Sequence, residues 1–292
     1  MPETKDITLS PSEKKEILKE YRQLLGNVQF KLRKRDTELI RQAFEMAIEY
    51  HAGMRRKSGE PYIFHPLAVA RIVSEEIGLE TTSIVCALLH DTIEDTELTL
   101  EDVENAFDKN TAKIINGLTK ISGVFDLNSS IQAENFRKML LTLNDDVRVI
   151  LIKIADRLHN MQTMDAMPDH KQVKIASETL YIYAPLAHRL GLYNIKTELE
   201  DLGLKYTEPE VFLSIVDKIK ESKEEQQNYL KRFSDKLKSG LDKENFTYDI
   251  KGRFKKGLNN KLLGNSYDLK ISINLSSVKF PICNFEYLAL KN

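Results

Sequence analysis

Residues 80–95 of the sequence read Glu80-Thr-Thr-Ser-Ile-Val-Cys-Ala-Leu-Leu-His-Asp-Thr-Ile-Glu-Asp95. The residues from Ile84 to Leu89 are apolar on nearly every side of a helix, which predicts a helix that is buried all round. His90 and Asp91 follow directly. If the helix continues for one more turn, Glu94 lies four residues after His90 on the same face. We therefore expect several titratable groups to crowd the polar end of a buried helix.

Such an acidic end has two interpretations. The ordinary one is a solvated helix terminus, but the apolar run before it argues against solvent exposure. Adjacent carboxylates repel one another unless a cation lies among them, and imidazole nitrogen with carboxylate oxygen suits a divalent metal. His65 and Asp156 are candidates to complete such a site. Taken alone, His65 could be a helix cap, and Asp156 could pair with Lys153 or Arg157 on a wet face.

Helical periodicity extends on both sides of this run, from about residue 12 to about residue 240. We expect His65 to begin a helix with Pro66 in its first turn and Gly78 at its end. Other predicted elements are a helix over Asp36–Tyr50 capped by Asp36 or Thr37, a helix over Val147–Met164 that begins after Asn144-Asp-Asp146, helices over Glu178–Leu190 and Tyr193–Leu204 separated at Gly191, a charged helical stretch over Pro209–Gly240, and a strand over Asn245–Lys251.

Composition narrows the classes of protein further. The 292 residues are 41% hydrophobic, which is enough for one large or two medium globular domains. With 43 basic and 44 acidic residues, the net charge of -1 excludes a chain built wholesale to coat nucleic acid or an anionic membrane. Two cysteines cannot form a disulfide framework, and we expect Cys86 to be a buried apolar residue. No membrane span or export signal is visible, so we expect a cytoplasmic protein.

Five blocks of the sequence resemble one known family, the HD-domain phosphohydrolases, and among them the RelA/SpoT homologues that make and destroy the alarmone (p)ppGpp. The blocks span about residues 36 to 206 and occur in the family order. They are Arg55–Pro66, Leu88–Thr96, Arg137–Leu141, Val147–Met161 and Tyr183–Gly191. The resemblance implies an all-α, multi-helix HD-domain bundle, followed here by a short, truncated α/β-like C-terminal segment.

The resemblance also implies a reaction and a metal. In the family, the residues matching His65, His90, Asp91 and Asp156 hold one divalent ion, usually Mn2+. Glu94 and Asp95 would orient or activate the attacking water and manage protons. The family reaction releases pyrophosphate from the 3′ position of (p)ppGpp and leaves GDP or GTP, so the resemblance implies a guanosine-3′,5′-bis(diphosphate) 3′-pyrophosphohydrolase.

A nearly neutral protein needs local positive charge to hold so anionic a substrate. In the resembling enzymes the nucleotide contacts match Arg56, Lys57 and Ser58, and its sugar or base is approached by the residues matching Asn160 and Thr163. Without the resemblance, the basic run could equally be a solvated loop. Arg157 has two interpretations, contact with phosphate or support of Asp156. His51 and His188 are interpreted as packing or hydrogen-bonding residues and not as ligands, His159 as lying between the polar and apolar faces of its helix, and His170 as exposed.

Full-length family members continue with a nucleotide pyrophosphokinase domain, whose opening strand resembles residues 246–253. The resemblance stops after Arg253, so we expect no complete synthetase and a poorly packed tail over residues 260–292. The predicted organisation is an N-terminal helical extension (1–35), the hydrolase domain (36–206), a helical connector (207–240) and the truncated segment (241–292). Two alternatives stay open: an HD hydrolase of another nucleotide, and a module that binds alarmone with little turnover.

Overall fold

The computed structural model describes residues 9–28, 30–125, 146–218, 235, 248–254 and 269–275. The chain divides into two units, Met1–Tyr206 and Thr207–Asn292. The helices are α1 (Pro11–Asn27), α2 (Lys34–Tyr50), α3 (Phe64–Arg71), α4 (Thr81–Leu88), α5 (Thr92–Asp95), α6 (Leu100–Ala106), α7 (Lys109–Phe125), α8 (Val147–Gln162), α9 (Asp169–Glu178), α10 (Ala184–Arg189) and α11 (Tyr193–Thr207). The all-α prediction is therefore confirmed for the described part of the first unit.

Helix α4 lies at the centre of the first unit, as its all-round apolar pattern predicts. It packs against α2, α3, α7 and α8. Seven of its residues are buried: Thr81, Ser83, Ile84, Val85, Cys86, Ala87 and Leu88. Full burial of each large aliphatic side chain contributes about 1.5–3 kcal/mol, so this helix anchors the core around it. Ile17 and Leu24 of α1 belong to the same hydrophobic cluster.

The predicted continuation of α4 through His90 to Glu94 is wrong, because α4 ends at Leu88. The Thr92 hydroxyl donates to the Leu89 carbonyl at 2.7 Å, and the Thr92 N–H donates to the same oxygen at 3.2 Å. A hydroxyl bonded to a nearby carbonyl competes with regular helical bonding. His90 and Asp91 consequently lie at a break between α4 and the single turn of α5, not along one helix face.

Helix α3 carries His65 in its first turn, one residue before Pro66, as predicted. A π-helical turn over Ile72–Glu76 extends it, with the Ile77 N–H donating to the Ile72 carbonyl at 3.1 Å. Gly78 then takes a φ of 79°. This left-handed conformation suits glycine and ends the helical run.

The start of α2 differs from the predicted one. The helix begins at Lys34, two residues before Asp36. The Asp36 carboxylate reaches back and accepts a hydrogen bond from the Arg33 N–H at 2.8 Å. Asp36 therefore acts from the third helical position instead of capping the helix, and the proposed cap at Asp36 or Thr37 is wrong.

Helix α8 carries Asp156, and Asp146 caps it by accepting from the Arg148 N–H at 3.0 Å. The helix ends at Gln162, and a short 3-10 turn follows over Met164–Ala166. Asn144 and Asp145, the other predicted cap residues, lie outside the described residues. The acid before α8 thus fixes its first turn, as predicted.

The segment after α8 is helical, as the periodicity predicts, but it contains one helix for which no bounds were predicted. This helix is α9, and a π-helical turn over Thr179–Tyr183 joins it to α10. The predicted helix over Glu178–Leu190 is therefore the second part of a longer helical run. Gly191, with a φ of 77°, separates α10 from α11, as predicted.

The second unit contains residues 209–218 in helical conformation and two antiparallel strands. Strand β1 (Tyr248–Phe254) pairs with β2 (Leu269–Leu275) from Tyr248 opposite Leu275 to Phe254 opposite Leu269. The predicted strand overlaps β1, whereas β2 was not predicted. The rest of the predicted connector, apart from residue 235, and the rest of the predicted tail lie outside the described residues. Among the described helices, none is both long and apolar enough to cross a membrane.

Candidate metal centre and adjoining cleft

Four side chains from three parts of the fold converge in the first unit. His65 comes from α3, His90 and Asp91 from the break after α4, and Asp156 from the middle of α8. His65 Nε2 lies 3.6 Å from Asp91 Oδ2 and 3.3 Å from Asp156 Oδ1. His90 Nε2 lies 3.0 Å and 3.7 Å from the same two atoms. The structure therefore brings together all four residues that the resemblance implies as metal ligands.

His90 is oriented for metal binding by its other ring nitrogen. Nδ1 lies 2.8 Å from the Ala87 carbonyl oxygen, which can only accept, so Nδ1 is protonated and Nε2 is the nitrogen that can bind either a second proton or a metal. Nε2 is fully buried and, among the described residues, makes no hydrogen bond despite its 3.0 Å approach to Asp91. A buried ring nitrogen that faces a carboxylate is stabilised by a cation bonded to it, either a proton or a metal ion. The residues present thus fit the divalent ion that an HD domain implies.

The electrostatics of the centre favour added positive charge. Burial alone would lower the pKa of His90, but the Asp91 and Asp156 carboxylates raise it to about 10. Burial alone would raise the pKa of both aspartates, but His90 holds that of Asp91, and Lys153 that of Asp156, well below the usual range. Both carboxylates are therefore ionised near neutral pH, when a metal can take the place of the His90 proton.

Asp156 is supported from its own helix by two residues. The Lys153 ammonium lies 3.0 Å from Asp156 Oδ2, and the Asn160 amide donates to Asp156 Oδ1 at 2.6 Å. The pairing with Lys153 considered from the sequence therefore occurs, but on a largely buried face of the helix instead of a wet one. Lys153 is not among the predicted site residues, although its spacing from Asp156 is that of neighbours on a helix face.

Tyr62, which the sequence analysis also missed, connects two acids of the site. Its hydroxyl donates to Asp91 Oδ2 at 2.7 Å and lies 3.3 Å from Asp95 Oδ2. Burial and the neighbouring Asp91 carboxylate raise the pKa of Tyr62, so the hydroxyl stays protonated as a donor. Asp95 and Glu94 both lie on α5 and are exposed. Through Tyr62, Asp95 is adjacent to the metal centre.

A cleft of about 680 Å³ adjoins the centre and includes Asp156 in its wall. Its lining contains every residue that the resemblance implies as a substrate contact, namely Arg56, Lys57, Ser58, Asn160 and Thr163. Lys171 and Lys174 of α9 also line it and add positive charge that the sequence analysis missed. Their three-residue spacing places them on one helix face, a signal that required prediction of α9.

The basic wall is a tight turn after α2. The Arg56 N–H donates to the Glu60 carbonyl at 2.9 Å, and Gly59 has a φ of 88°, which favours glycine. Arg55 Nη1 donates to Glu13 Oε1 of α1 at 2.7 Å. Lys57 and Ser58 are exposed at the tip of this turn. The turn therefore presents its basic and hydroxyl side chains to the cleft.

Arg157, His51 and His188 each contact an aromatic side chain. Arg157 Nη2 lies 3.5 Å from Glu178 Oε2, and its guanidinium stacks 4.3 Å from the Tyr183 ring centre. His51 stacks on Tyr62 with 4.6 Å between ring centres. His170 is exposed and His188 makes an edge contact with Tyr193.

His159 was not predicted to be a site residue, but it contacts the candidate metal centre. Its Nδ1 lies 2.7 Å from His65 Nδ1 and 3.1 Å from Arg56 Nη1. It therefore joins a candidate metal ligand to a residue of the cleft. The contact spans distant parts of the sequence, so no local pattern in the sequence predicts it.

Comparison with known proteins gives matches over the same region. A family model described as HD domain matches residues 43–193. The chain is 46% identical over 225 residues to a GTP pyrophosphokinase of Myxococcus xanthus, covering 75% of this chain and 30% of that protein. It is 44% identical over 219 residues to a guanosine-3′,5′-bis(diphosphate) 3′-pyrophosphohydrolase of Aquifex aeolicus (strain VF5), covering 75% and 31%. The chain thus spans about 30% of the length of the curated relatives it matches.

Proposed function

The chain belongs to the HD domain family, and from that premise we propose that it is a metal-dependent (p)ppGpp hydrolase. The products are pyrophosphate from the 3′ position and GDP or GTP. The observation that carries the proposal is the meeting of His65, His90, Asp91 and Asp156 beside a cleft with a basic wall. A relative that is 44% identical over 219 residues is named for the same reaction.

The cleft residues would hold the nucleotide. We assign Arg56, Lys57 and Ser58 to the guanine nucleotide, and Asn160 and Thr163 to its sugar or base. Arg56 is held by a hydrogen bond of 2.8 Å to the Asn160 side-chain oxygen, so these two assignments support each other. A cleft lined by arginine and lysine suits a ligand with two diphosphate groups, because their negative charge is neutralised at short range.

The four ligands would hold one divalent cation, which we propose to be Mn2+. When bound, the cation supplies Lewis acidity, which favours ionisation of water and neutralises charge on the pyrophosphate. Asp95 and Glu94 would orient the attacking water and take its proton as oxygen bonds to phosphorus. The bond from phosphorus to the 3′ oxygen breaks, and that oxygen leaves with the proton that Glu94 or Asp95 took from the water. The Tyr62 hydroxyl would hold Asp91 and Asp95 in fixed positions relative to each other.

The proposal also includes the binding partner and the cellular location of the enzyme. A soluble guanine nucleotide is the proposed partner, without nucleic acid or membrane, and the cytoplasm is the proposed location. The near-balance of 43 basic and 44 acidic residues supports a local rather than a global basic surface.

Pyrophosphate release tests the proposal. We expect the 292-residue protein to release pyrophosphate from ppGpp when Mn2+ is present and to stop after chelation. Turnover of other nucleotides, such as dNTPs, without turnover of ppGpp would favour an HD hydrolase of another substrate. Tight ppGpp binding without turnover in the Mn2+-loaded protein would favour a binding module.

A double variant tests the catalytic pair. Glu94→Gln with Asp95→Asn removes both carboxylates but keeps side-chain size, so we expect ppGpp to bind while hydrolysis slows by about 100-fold or more. Glu97→Gln, at an exposed acid close by in the chain, is the matched control. Unchanged turnover in the double variant would refute the roles given to Glu94 and Asp95.

A further inference from the structure

Three side chains form a continuous hydrogen-bonded line from the cleft to the metal centre. Arg56 Nη1 lies 3.1 Å from His159 Nδ1, and His159 Nδ1 lies 2.7 Å from His65 Nδ1. The rings of His65 and His159 are stacked, with 5.0 Å between their centres. The outer end of the line is a cleft residue, and the inner end is a buried histidine of the metal centre.

The direction of each hydrogen bond follows from the chemistry of the donors. The arginine guanidinium is always protonated and can only donate, so His159 Nδ1 must accept from Arg56. A nitrogen that accepts carries no proton. His65 Nδ1 faces the same nitrogen, and a hydrogen bond at 2.7 Å then requires His65 Nδ1 to be the donor. Its proton is thereby fixed on Nδ1, and Nε2 keeps its lone pair toward Asp91 and Asp156.

We propose that His159 is a positioning residue, which holds His65 in its metal-binding tautomer and couples that tautomer to Arg56 in the cleft. A second partner on the far nitrogen of a ligating histidine commonly sets its tautomer and orientation. Here that partner is itself polarised by a guanidinium from the cleft wall. The inference rests on the proposed function only in treating Arg56 as a nucleotide contact.

The arrangement has a consequence for binding. A nucleotide that draws Arg56 away from His159, or presses it closer, changes how firmly His65 is held. Coupling between two sites is reciprocal, so the nucleotide and the metal must alter each other's affinity by the same factor. The geometry therefore predicts that Mn2+ affinity depends on Arg56, a cleft residue that reaches His65 through His159 and Asp156 through Asn160.

Two variants at His159 separate hydrogen bonding from packing. Asparagine can place its side-chain oxygen near the Nδ1 position and accept from both neighbours, whereas leucine fills similar space and cannot accept. For the full 292-residue chain without nucleotide, we expect His159→Leu to weaken Mn2+ binding by about 10- to 100-fold. We expect His159→Asn to stay within about threefold of the unmodified protein. Equal Mn2+ affinity in the leucine variant would overturn the proposal.

A spectroscopic measurement reports the tautomer itself. In protein labelled with 15N at histidine, we expect the His65 resonances of the metal-free state to show the proton on Nδ1. A proton on Nε2 would contradict the proposed direction of the hydrogen bonds. This readout needs no variant, so it stands even if His159→Leu fails to fold.

The coupling is tested at the other end of the line with GDP, which cannot be turned over. We expect Arg56→Met to weaken Mn2+ binding by about threefold to tenfold without nucleotide, and to abolish any effect of GDP on Mn2+ affinity. Lys57→Met, at an exposed neighbour in the same turn, should leave Mn2+ affinity unchanged. Equal Mn2+ affinity in the Arg56 and Lys57 variants would refute the coupling. Failure of ppGpp hydrolysis would refute the proposed function and leave these Mn2+ results intact.

Discussion

Replacing Lys153 by methionine tests how charge is balanced in the centre. The ammonium lies 3.0 Å from Asp156 Oδ2, and the two side chains are only 13% and 10% exposed. At an effective dielectric constant of about 20, unit charges at this separation attract by about 5 kcal/mol. Desolvation offsets part of this attraction, but removal of one partner from a buried pair costs about 3–5 kcal/mol because the other charge is left uncompensated.

We therefore expect Lys153→Met to lower the Tm of the metal-free protein by on the order of 10 °C. The same change should strengthen Mn2+ binding. A cation is repelled by the Lys153 ammonium, so the variant should bind Mn2+ more tightly, and Mn2+ should raise its Tm by more than it raises that of the unmodified protein.

Calorimetry with and without Mn2+ measures both effects. Lys34→Met is the matched control, because Lys34 is 93% exposed and its pair with Glu38 spans 4.0 Å. Such surface pairs contribute about 0–1 kcal/mol, so the control should change little in either state. A Lys153 variant that melts with the control, or gains less from Mn2+ than the unmodified protein, would refute the charge balance described for Asp156.

Three further predictions concern the helix break, a close helix contact and pH. Thr92→Val removes the buried hydroxyl that donates to the Leu89 carbonyl at 2.7 Å. We expect this change to lower the free energy of unfolding in urea by about 1–3 kcal/mol and to weaken Mn2+ binding. Unchanged Mn2+ affinity would show that this hydrogen bond does not position His90 and Asp91. Gly117→Ala places a Cβ 2.9 Å from Val149 Cγ2. Because the valine side chain is stiff, we expect the free energy of unfolding to fall by about 1 kcal/mol. An increase would show that α7 and α8 can move apart. The raised pKa of His90, about 10, stabilises the metal-free fold fully below its unfolded value of about 6.5, and this contribution is lost as pH rises through about 10. Mn2+ must displace that proton, so its affinity should rise from about pH 6 to about pH 9 with measurable proton release, and a flat profile would contradict this assignment.

The fold was predictable where burial dictates pattern. An all-round apolar run identified α4 as the central helix, and Asp146 identified the start of α8. Helix α9 was missed because Ala176 is its only buried residue, so it has little apolar periodicity to detect. Strand β2 does alternate, with Leu269, Ile271, Ile273 and Leu275 at every second position, and this signal was available in the sequence.

Part of the candidate site was also predictable from the sequence, and part was not. The types of residue and the family resemblance predicted the four candidate ligands and the candidate cleft contacts, and the family match and the relatives confirm the resemblance. What was missed depends on tertiary contact: the bond from Tyr62 to Asp91, the buried position of Lys153 and the approach of His159 to His65. The break after α4 was also missed, since apolar periodicity gives no information on the hydrogen bonds that Thr92 makes to the Leu89 carbonyl.

The four ligands arise from α3, the end of α4 and the middle of α8, so an ion bound there would act as a cross-link between segments far apart in the chain. Closing those loops in the unfolded chain is entropically unfavourable, and an ion that binds only the folded arrangement offsets that cost. Opening of the helical core should then require release of the ion, although the metal-free chain also folds. Chelation would shorten the lifetime of the folded protein even at temperatures well below its melting point.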